Sequence, residues 1–396
     1  MWISRGTREY RRAGAALFLA GFASFSLLYC VQPLLPAFAR TFSITPAESS
    51  LALSLTTGLL AVSILLAGAY SQALGRRGLM FGSMALAAIL NIAAGFAPGW
   101  HGLLAARALE GFLLGGVPAV AMAWLAEEID PDDLGKAMGL YIAGTAFGAM
   151  IGRVGMGLMT EIASWRVAMV SLGVLCLMSA AGFFLLLPRS RHFVARRGLS
   201  LAYHLGAWGA HLQNRGLVRL YALGFVLTGI FVTVFNYATF RLSEPPYGLS
   251  QTQLSMIFLA FAFGIVASSS AGGLAGRFGR RRLLLSGFGL ILSGLLLTLA
   301  APLPLIIVGI ILITSGFFIG HAVASSSVGP LAGVSKGHAA SLYLLFYYLG
   351  SSLVGSAGGW FWQQGGWPAI VLLTAALALA GFWLSHAATR PDGRAA

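Results

Sequence analysis

The chain has 396 residues, of which 58% are hydrophobic and only 9% charged, with 52 glycines and a formal net charge of +14. Soluble chains carry about 25% charged residues, so a soluble enzyme, a disordered chain and a nucleic-acid-binding module are excluded as the main reading. A basic excess of this kind instead suits a polytopic membrane protein, whose lysines and arginines gather in cytoplasmic loops. Cys30 and Cys176 both fall inside apolar stretches, which points to neither a disulfide framework nor a metal site. No cofactor is expected.

A basic start, with arginines at 5, 8, 11 and 12, leads into an uncharged run over residues 13–39. Residues 37–39 (Ala-Phe-Ala) mimic a cleavage site, but the run is too long for a signal h-region and further spans follow, so a retained first helix is expected. Uncharged stretches then cover 49–75, ending at Arg76-Arg77, and 78–98, ending at a Pro98-Gly99 turn. The next two spans contain charge: residues 101–126 hold Arg107 and Glu110, and residues 137–160 hold Arg153. Residues 167–187 close the first half. Beyond a basic segment come 220–240 and 249–276. Residues 283–335 lack Lys, Arg, Asp and Glu; as one helix they would reach about 80 Å, so they must fold back, at Pro302 and Pro304. Residues 337–389 behave alike and break at Gly365-Gly366-Trp367-Pro368. The expected fold class is an all-α membrane protein with twelve transmembrane helices.

Orientation follows from the lysines and arginines. Of the 25, Arg40, Arg166 and Arg241 fall in outside loops and Arg107 and Arg153 within helices; the other 20 fall in segments that are cytoplasmic if the N-terminus is inside. Both termini are therefore expected in the cytoplasm. The polar middle connection divides the chain into a six-helix bundle over residues 1–187, a linker over 188–219 and a second bundle over 220–396. In the linker, Leu201, Leu205, Trp208 and Leu212 share one helical face, as in an interfacial helix. His204 and His211 are seven residues apart, a weak metal pattern. The acidic run from Glu127 to Asp133 reads as a solvated inner loop capping the fifth helix.

The halves repeat. Gly68 to Arg77 (Gly-Ala-Tyr-Ser-Gln-Ala-Leu-Gly-Arg-Arg) is echoed 204 residues later by Gly272 to Arg281. Leu140, Tyr141, Gly148, Gly157 and Trp165 are echoed at an offset of 202 by Leu342, Tyr343, Gly350, Gly359 and Trp367. Parallel six-helix repeats are the arrangement of major facilitator transporters. Over its whole length the chain resembles that superfamily. Residues 68–77 resemble its loop motif G-x-x-x-D-x-x-G-R-[RK], Arg107 to Gly115 its fourth-helix motif, and Gly144 to Gly152 the fifth-helix glycine motif of proton-coupled exporters. Tyr29 to Pro36 resemble the bacterial efflux branch of YnfM-type and arabinose or multidrug exporters.

The resemblance implies a gating role for Gly68, Gln72, Gly75, Arg76 and Arg77, and for Gly272, Gly279, Arg280 and Arg281 in the second half. Gln72 stands where the family has an Asp that helps hold the inner gate closed, and Gly276 stands there in the second copy. In the fifth helix, Ala149 and Arg153 replace the exporters' Pro and a second Gly. The same resemblance places helices 1, 4, 7 and 10 along the central path, which nominates Tyr29, Gln32, Asn236, Tyr237 and His321, with Tyr343, Tyr347 and Tyr348 on helix eleven. Gly144, Gly148, Gly152 and Gly155 form a small-residue stripe, expected to face the other half and let the halves rock.

Ionisable groups within a membrane are costly and are functional candidates by default. Glu110 sits roughly 14 Å below the outer face and Arg153 roughly 11–16 Å, on neighbouring helices, with Arg107 one turn above Glu110. A network of one carboxylate between two guanidiniums is expected. Either Glu110 exchanges a proton and thereby alters what the arginines hold, or it only neutralises Arg107 or Arg153. The net positive site favours an anionic or zwitterionic substrate. His321 is an imidazole of the kind that exchanges protons, or a neutral core histidine. The expected function is a secondary active transporter, not an enzyme, exporting a small organic molecule by alternating access with proton coupling, as a monomer in the bacterial inner membrane. The alternatives are uptake or facilitated diffusion of a sugar or organic acid, and, from another class, a membrane-embedded enzyme.

Overall fold

A computed structural model describes residues 2–191, 201–333 and 335–387 of the chain. The side chains of residues 68–74, Gln72 among them, lie outside the described residues. So do residues 192–200 of the basic linker and the C-terminal Arg390 and Arg394. Among the described residues the regular elements are all helices, apart from one isolated bridge between Ile3 and Ile129.

The first half comprises α1 (Arg8–Tyr29), α2 (Leu35–Phe42), α3 (Pro46–Leu74), α4 (Arg76–Gly95), α5 (Trp100–Leu114), α6 (Pro118–Glu128), α7 (Leu134–Ile162) and α8 (Trp165–Leu186). After α9 (Leu201–Gln213), the second half comprises α10 (Arg215–Ser243), α11 (Gln251–Met256), α12 (Phe261–Phe278), α13 (Arg280–Leu297), α14 (Leu303–Leu331) and α15 (Lys336–Ala387). Nine segments among the described residues are long and apolar enough to cross a membrane. Three more passes complete twelve. α5 and α6 form one pass in two short pieces, α13 opens on three arginines, and α15 holds two passes bent at Gly365 and Gly366. That bend needs Gly366 at φ +57°, a backbone region that L side chains rarely enter.

Two passes expected as unbroken helices are interrupted. α1 stops at Tyr29, and a 3-10 turn over Gln32–Leu34 leads into α2. The cause is local: Pro33 lacks the N–H that would bond back to Tyr29 O at the end of α1, and Pro36 the one that would reach Gln32 O. The fourth pass breaks over Gly115-Gly116-Val117, where Pro118 removes the next helical donor. Both breaks leave helix-terminal carbonyls without intrahelical partners inside the membrane, where each must be satisfied.

The chain divides into two compact units, residues 1–201 with 242–258, and residues 202–241 with 259–396. In the first, α1 and α7 approach at glycine. A Cβ on Gly144 would meet the backbone of Phe18, one on Gly148 the backbone of Phe22, and one on Gly152 would lie 2.9 Å from Ser26. The stripe therefore packs on α1 of its own unit, which corrects the expectation that it faces the other half; Gly155, also assigned to it, has nothing within 4 Å. One turn further on, Gly157 lies against Ser255, and Gln251 Nε2 donates to Pro33 O at 2.5 Å. These contacts draw α11, early in the second half of the sequence, into the first unit. In the second unit α10 meets the first part of α15 in the same manner, Gly350 lying on the backbone of Phe225.

The acidic run does not cap the fifth helix. Asp133, at the N-cap of α7, makes no capping bond and instead accepts from Arg5 N at 2.7 Å. Ile3 N donates to Glu128 O and Asp130 N to Ile3 O, so the N-terminal segment is pinned to this loop. On α9, Leu205 and Leu212 are exposed, while Trp208 Nε1 donates to Ser341 Oγ at 3.3 Å. His204 and His211 of the same helix turn to His338 (2.9 Å) and Ser335 O (3.1 Å).

Candidate functional site

The break in α1 organises the site in the first unit. Arg107 of α5 is completely buried. Its Nη1 donates to Leu27 O at 3.0 Å and its Nη2 to Leu28 O at 2.8 Å, both in the last turn of α1. Its Nε reaches Ala52 O of α3 at 3.3 Å. Arg107 thus caps the carbonyls that the interruption exposes, a helix C-terminus satisfied by a cation in a region without water. Cys30, the residue at the break, accepts from Arg107 Nη1 at 3.6 Å and lies 3.4 Å from Asn91 Oδ1.

Glu110, one turn along α5 and equally buried, pairs with Arg107 at 2.6 Å through Oε2. Its Oε1 has no hydrogen-bond partner among the described residues. A buried carboxylate that keeps its cation on one oxygen and leaves the other bare has lost much of its hydration without full replacement.

Arg153 of α7 is not the second arm of this pair. Its Nε donates to Gln32 Oε1 at 2.8 Å and its Nη1 to Ala149 O, and its guanidinium lies 4.3 Å above the Tyr29 ring and 5.0 Å from that of Phe258. The expected single carboxylate between two guanidiniums is therefore corrected: Glu110 serves Arg107, while Arg153 is held by an amide and aromatic faces. Cation–π contact of this sort gains strength where water is excluded. The 3-10 turn after α1 makes this possible by carrying Gln32 onto α7. Tyr29, Gln32 and Arg153, chosen from sequence for separate reasons, form one cluster.

In the second unit the candidate residues form an aromatic cluster around one imidazole. His321 Nδ1 meets the Tyr343 hydroxyl at 2.9 Å, and the imidazole stacks on Phe317 at 5.8 Å and contacts Tyr347 at 4.7 Å. Tyr348 touches Tyr347 edge-on at 5.0 Å. Tyr237 of α10 donates to Gly355 O at 3.1 Å and stacks on Trp362, apart from that cluster. Asn236 is fully buried beside it in sequence.

The two loop motifs share their turn. Gly75 has φ +80° and ψ 132°, Gly279 has φ +87° and ψ 144°, and both sit between a descending and an ascending helix. Arg76 grips Glu127 of α6 with both Nε and Nη2, so a carboxylate from outside the motif serves this arginine. Arg77 binds Phe184 O. In the second copy Arg281 contacts His386 and Arg280 is exposed. Gly68 and Gln72 fall among the side chains that are not described, and Gly272 lies within α12 with open space beside it.

Sequence reasoning missed Asn91, Cys30 and Phe258. Asn91 is completely buried in α4 and donates to Met169 O at 2.7 Å. The signal was there: it is the sole Asn in an otherwise apolar span. Phe258 carried no signal, because an aromatic in an apolar run does not disclose a cation above it.

Twelve passes, a six-plus-six repeat and matched glycine turns define a membrane transporter built from two related halves. The chain belongs to the Major Facilitator Superfamily, whose model matches residues 17–328 and again 245–395. It is 43% identical over 99% of its length to the uncharacterized MFS-type transporter YybF of Bacillus subtilis (strain 168), covering 98% of that protein. It is also 43% identical to the inner membrane transport protein YnfM of Escherichia coli (strain K12), over 93% of this chain and 88% of that one. Among solved structures, a single-substitution mutant of the nucleoside transporter NupG superposes with a TM-score of 0.79 at 15% identity, over 96% of this chain and all of the other. Such a likeness establishes the fold. The chain is a transporter and not an enzyme, and like its family it handles small molecules within the membrane.

Proposed function

We propose that the protein is a secondary active transporter that exports a small organic molecule in exchange for protons, with Glu110 as the proton-carrying group. The observation that carries this reading is the bare Oε1 of Glu110, in a pair whose other oxygen is held by Arg107. A proton on Oε1 would keep the Oε2 contact and remove the buried charge that Oε1 leaves unsatisfied. Deprotonation would strengthen the grip on Arg107, which holds the end of α1. Proton binding would then act on the link between α5 and α1, the kind of differential contact that shifts a conformational equilibrium.

The cluster of Tyr29, Gln32 and Arg153 supports an anionic or zwitterionic substrate, since the amide of Gln32 and the ring of Tyr29 orient the Arg153 guanidinium. Bundles over residues 1–187 and 220–396, joined by 188–219, would alternate access in the bacterial inner membrane. A monomer suffices. The gating assignments for the two glycine–arginine turns belong to this reading as well.

The test uses full-length protein in liposomes loaded with a pH dye and preset acidic inside. A panel of anionic, zwitterionic and cationic compounds is added to wild type and to Glu110→Gln, whose amide oxygen can still accept from Arg107. Compound-dependent loss of internal acidity that disappears in the variant is the expected result. Equilibration of labelled compounds without any pH signal would instead establish facilitated diffusion and remove proton coupling.

A further inference from the structure

The inner face of the first unit holds a cavity of about 300 Å³ apart from the Arg107–Glu110 pair and the Arg153 cluster, with Arg77 of the glycine–arginine turn in its lining. Four arginines line it, Arg12 from α1, Arg77 from α4, and Arg189 and Arg191 beyond α8, against the single carboxylate of Glu9. Glu9 is already engaged by Arg191 at 2.5 Å. Three guanidiniums thus converge on one cavity with no anion of their own among the described residues, although Arg77 experiences the charges of both Arg12 and Arg189.

Two of these cations are fixed in place. Arg12 Nη2 donates to Leu185 O at 2.9 Å, and Arg77 Nη2 donates to Phe184 O while its guanidinium lies 4.3 Å above the Phe184 ring. The carbonyls belong to the last turn of α8, whose negative end favours cations. Arg77 Nε is buried and has no hydrogen-bond partner among the described residues. A buried guanidinium donor left unsatisfied beside two like charges marks a place for an acceptor that the protein chain does not supply. Planar guanidinium forks match the paired oxygens of a phosphate, and several cations around one cavity suit an anion with several oxygens.

We infer that this cavity binds a phosphate group, presented by the headgroup of an anionic phospholipid in the cytoplasmic leaflet. The lipid source is favoured over free phosphate by the mouth of the cavity: Leu185 lines it and is 71% exposed, next to Phe184, at the cytoplasmic end of a spanning helix. An acyl chain can lie along these apolar side chains while the headgroup enters the arginines. Basic pockets at the cytoplasmic ends of transmembrane helices recognise anionic headgroups in this way. Because Arg12, Arg77 and the end of α8 come from three helices, occupancy would tie α1, α4 and α8 together at the inner face.

Purified full-length protein in a neutral detergent gives the test, with the thermal unfolding midpoint as the readout. Dioctanoyl phosphatidylglycerol, dioctanoyl phosphatidylcholine and sodium phosphate are titrated at constant ionic strength. Phosphatidylglycerol should raise the midpoint saturably and phosphatidylcholine should not. Arg12→Gln/Arg189→Gln should weaken the apparent affinity about tenfold or more, since each surface arginine is worth several-fold in attraction to an anionic headgroup. Arg277→Gln/Arg282→Gln, which removes two charges from the inner face of the other unit, should leave it unchanged. If the first double variant folds poorly, Arg189→Gln alone serves, because Arg189 is exposed. Sodium phosphate that stabilises by itself and competes with the lipid would support the site and assign its ligand to solution. Equal weakening by the two double variants, or equal effects of the two lipids, would overturn the inference in favour of diffuse surface charge.

Discussion

The two halves use one scaffold and fill it with opposite chemistry. In the first, Gly148 of α7 sits on the backbone of Phe22; in the second, Gly350 of α15 sits on that of Phe225. Trp165 Nε1 donates to Thr41 Oγ1 and Trp367 Nε1 to Thr298 Oγ1, each at 3.2 Å. An arginine also closes an outer helix end in each: Arg166 binds Gly95 O and Ala97 O at the end of α4, and Arg241 binds Thr298 O and Ala300 O at the end of α13. These arginines are not repeat-related, since Arg166 follows its Trp directly while Arg241 ends another helix. The requirement for a satisfied helix terminus is common to both halves, and the residue that meets it is free to move. Inside, Arg107, Glu110 and Arg153 charge the first half, whereas the second-half cluster of His321, Tyr343 and Tyr347 holds no carboxylate or guanidinium. The close approaches, where a side chain has no room, recur in both halves, while the interior positions differ between them.

That contrast can be broken most forcefully at Arg107. Arg107→Met leaves Glu110 buried without its cation and uncaps α1, and should cost about 3–5 kcal/mol in denaturant unfolding. Arg107→Met/Glu110→Met should recover much of this loss. A small effect of the single variant would mean that the charged half needs its ion pair no more than the other half does. Next come the close approaches. Gly148→Ala and Gly350→Ala each drive a methyl group into backbone, and each should cost about 1–3 kcal/mol in the same measurement. A large effect at one and none at the other would show that the scaffold is not equivalent in the two halves.

The turn glycines sharpen the same point at smaller scale. Gly75→Ala and Gly279→Ala force L residues to φ near +80°, and each should cost about 1–2 kcal/mol, read as a lowered unfolding midpoint. Smallest is His321→Phe, which keeps the stack on Phe317 and loses one hydrogen bond to Tyr343. It should cost about 1 kcal/mol. A loss as large as that at Arg107 would give the second half a polar keystone of its own.

The amino-acid sequence by itself determined the number of passes, their cytoplasmic ends, the repeat and both glycine turns. These follow from local rules: the length of an apolar run against membrane thickness, the distribution of arginines between loops, and glycine where no Cβ is tolerated. It also picked out every charged residue of the first-half site, because a charge in an apolar run cannot be overlooked. Only the tertiary structure decided which of them meet. Depth along a helix comes from counting residues, and it placed Glu110 and Arg153 at one level; pairing depends on rotation about the helix axis and on where helices break. The stop at Tyr29, set by Pro33, turned Leu27 O and Leu28 O into ligands for Arg107 and carried Gln32 to Arg153. The glycine stripe likewise could be read as a contact surface from spacing alone. That it meets α1 was decided by packing, since a stripe of small residues fits any helix able to come close.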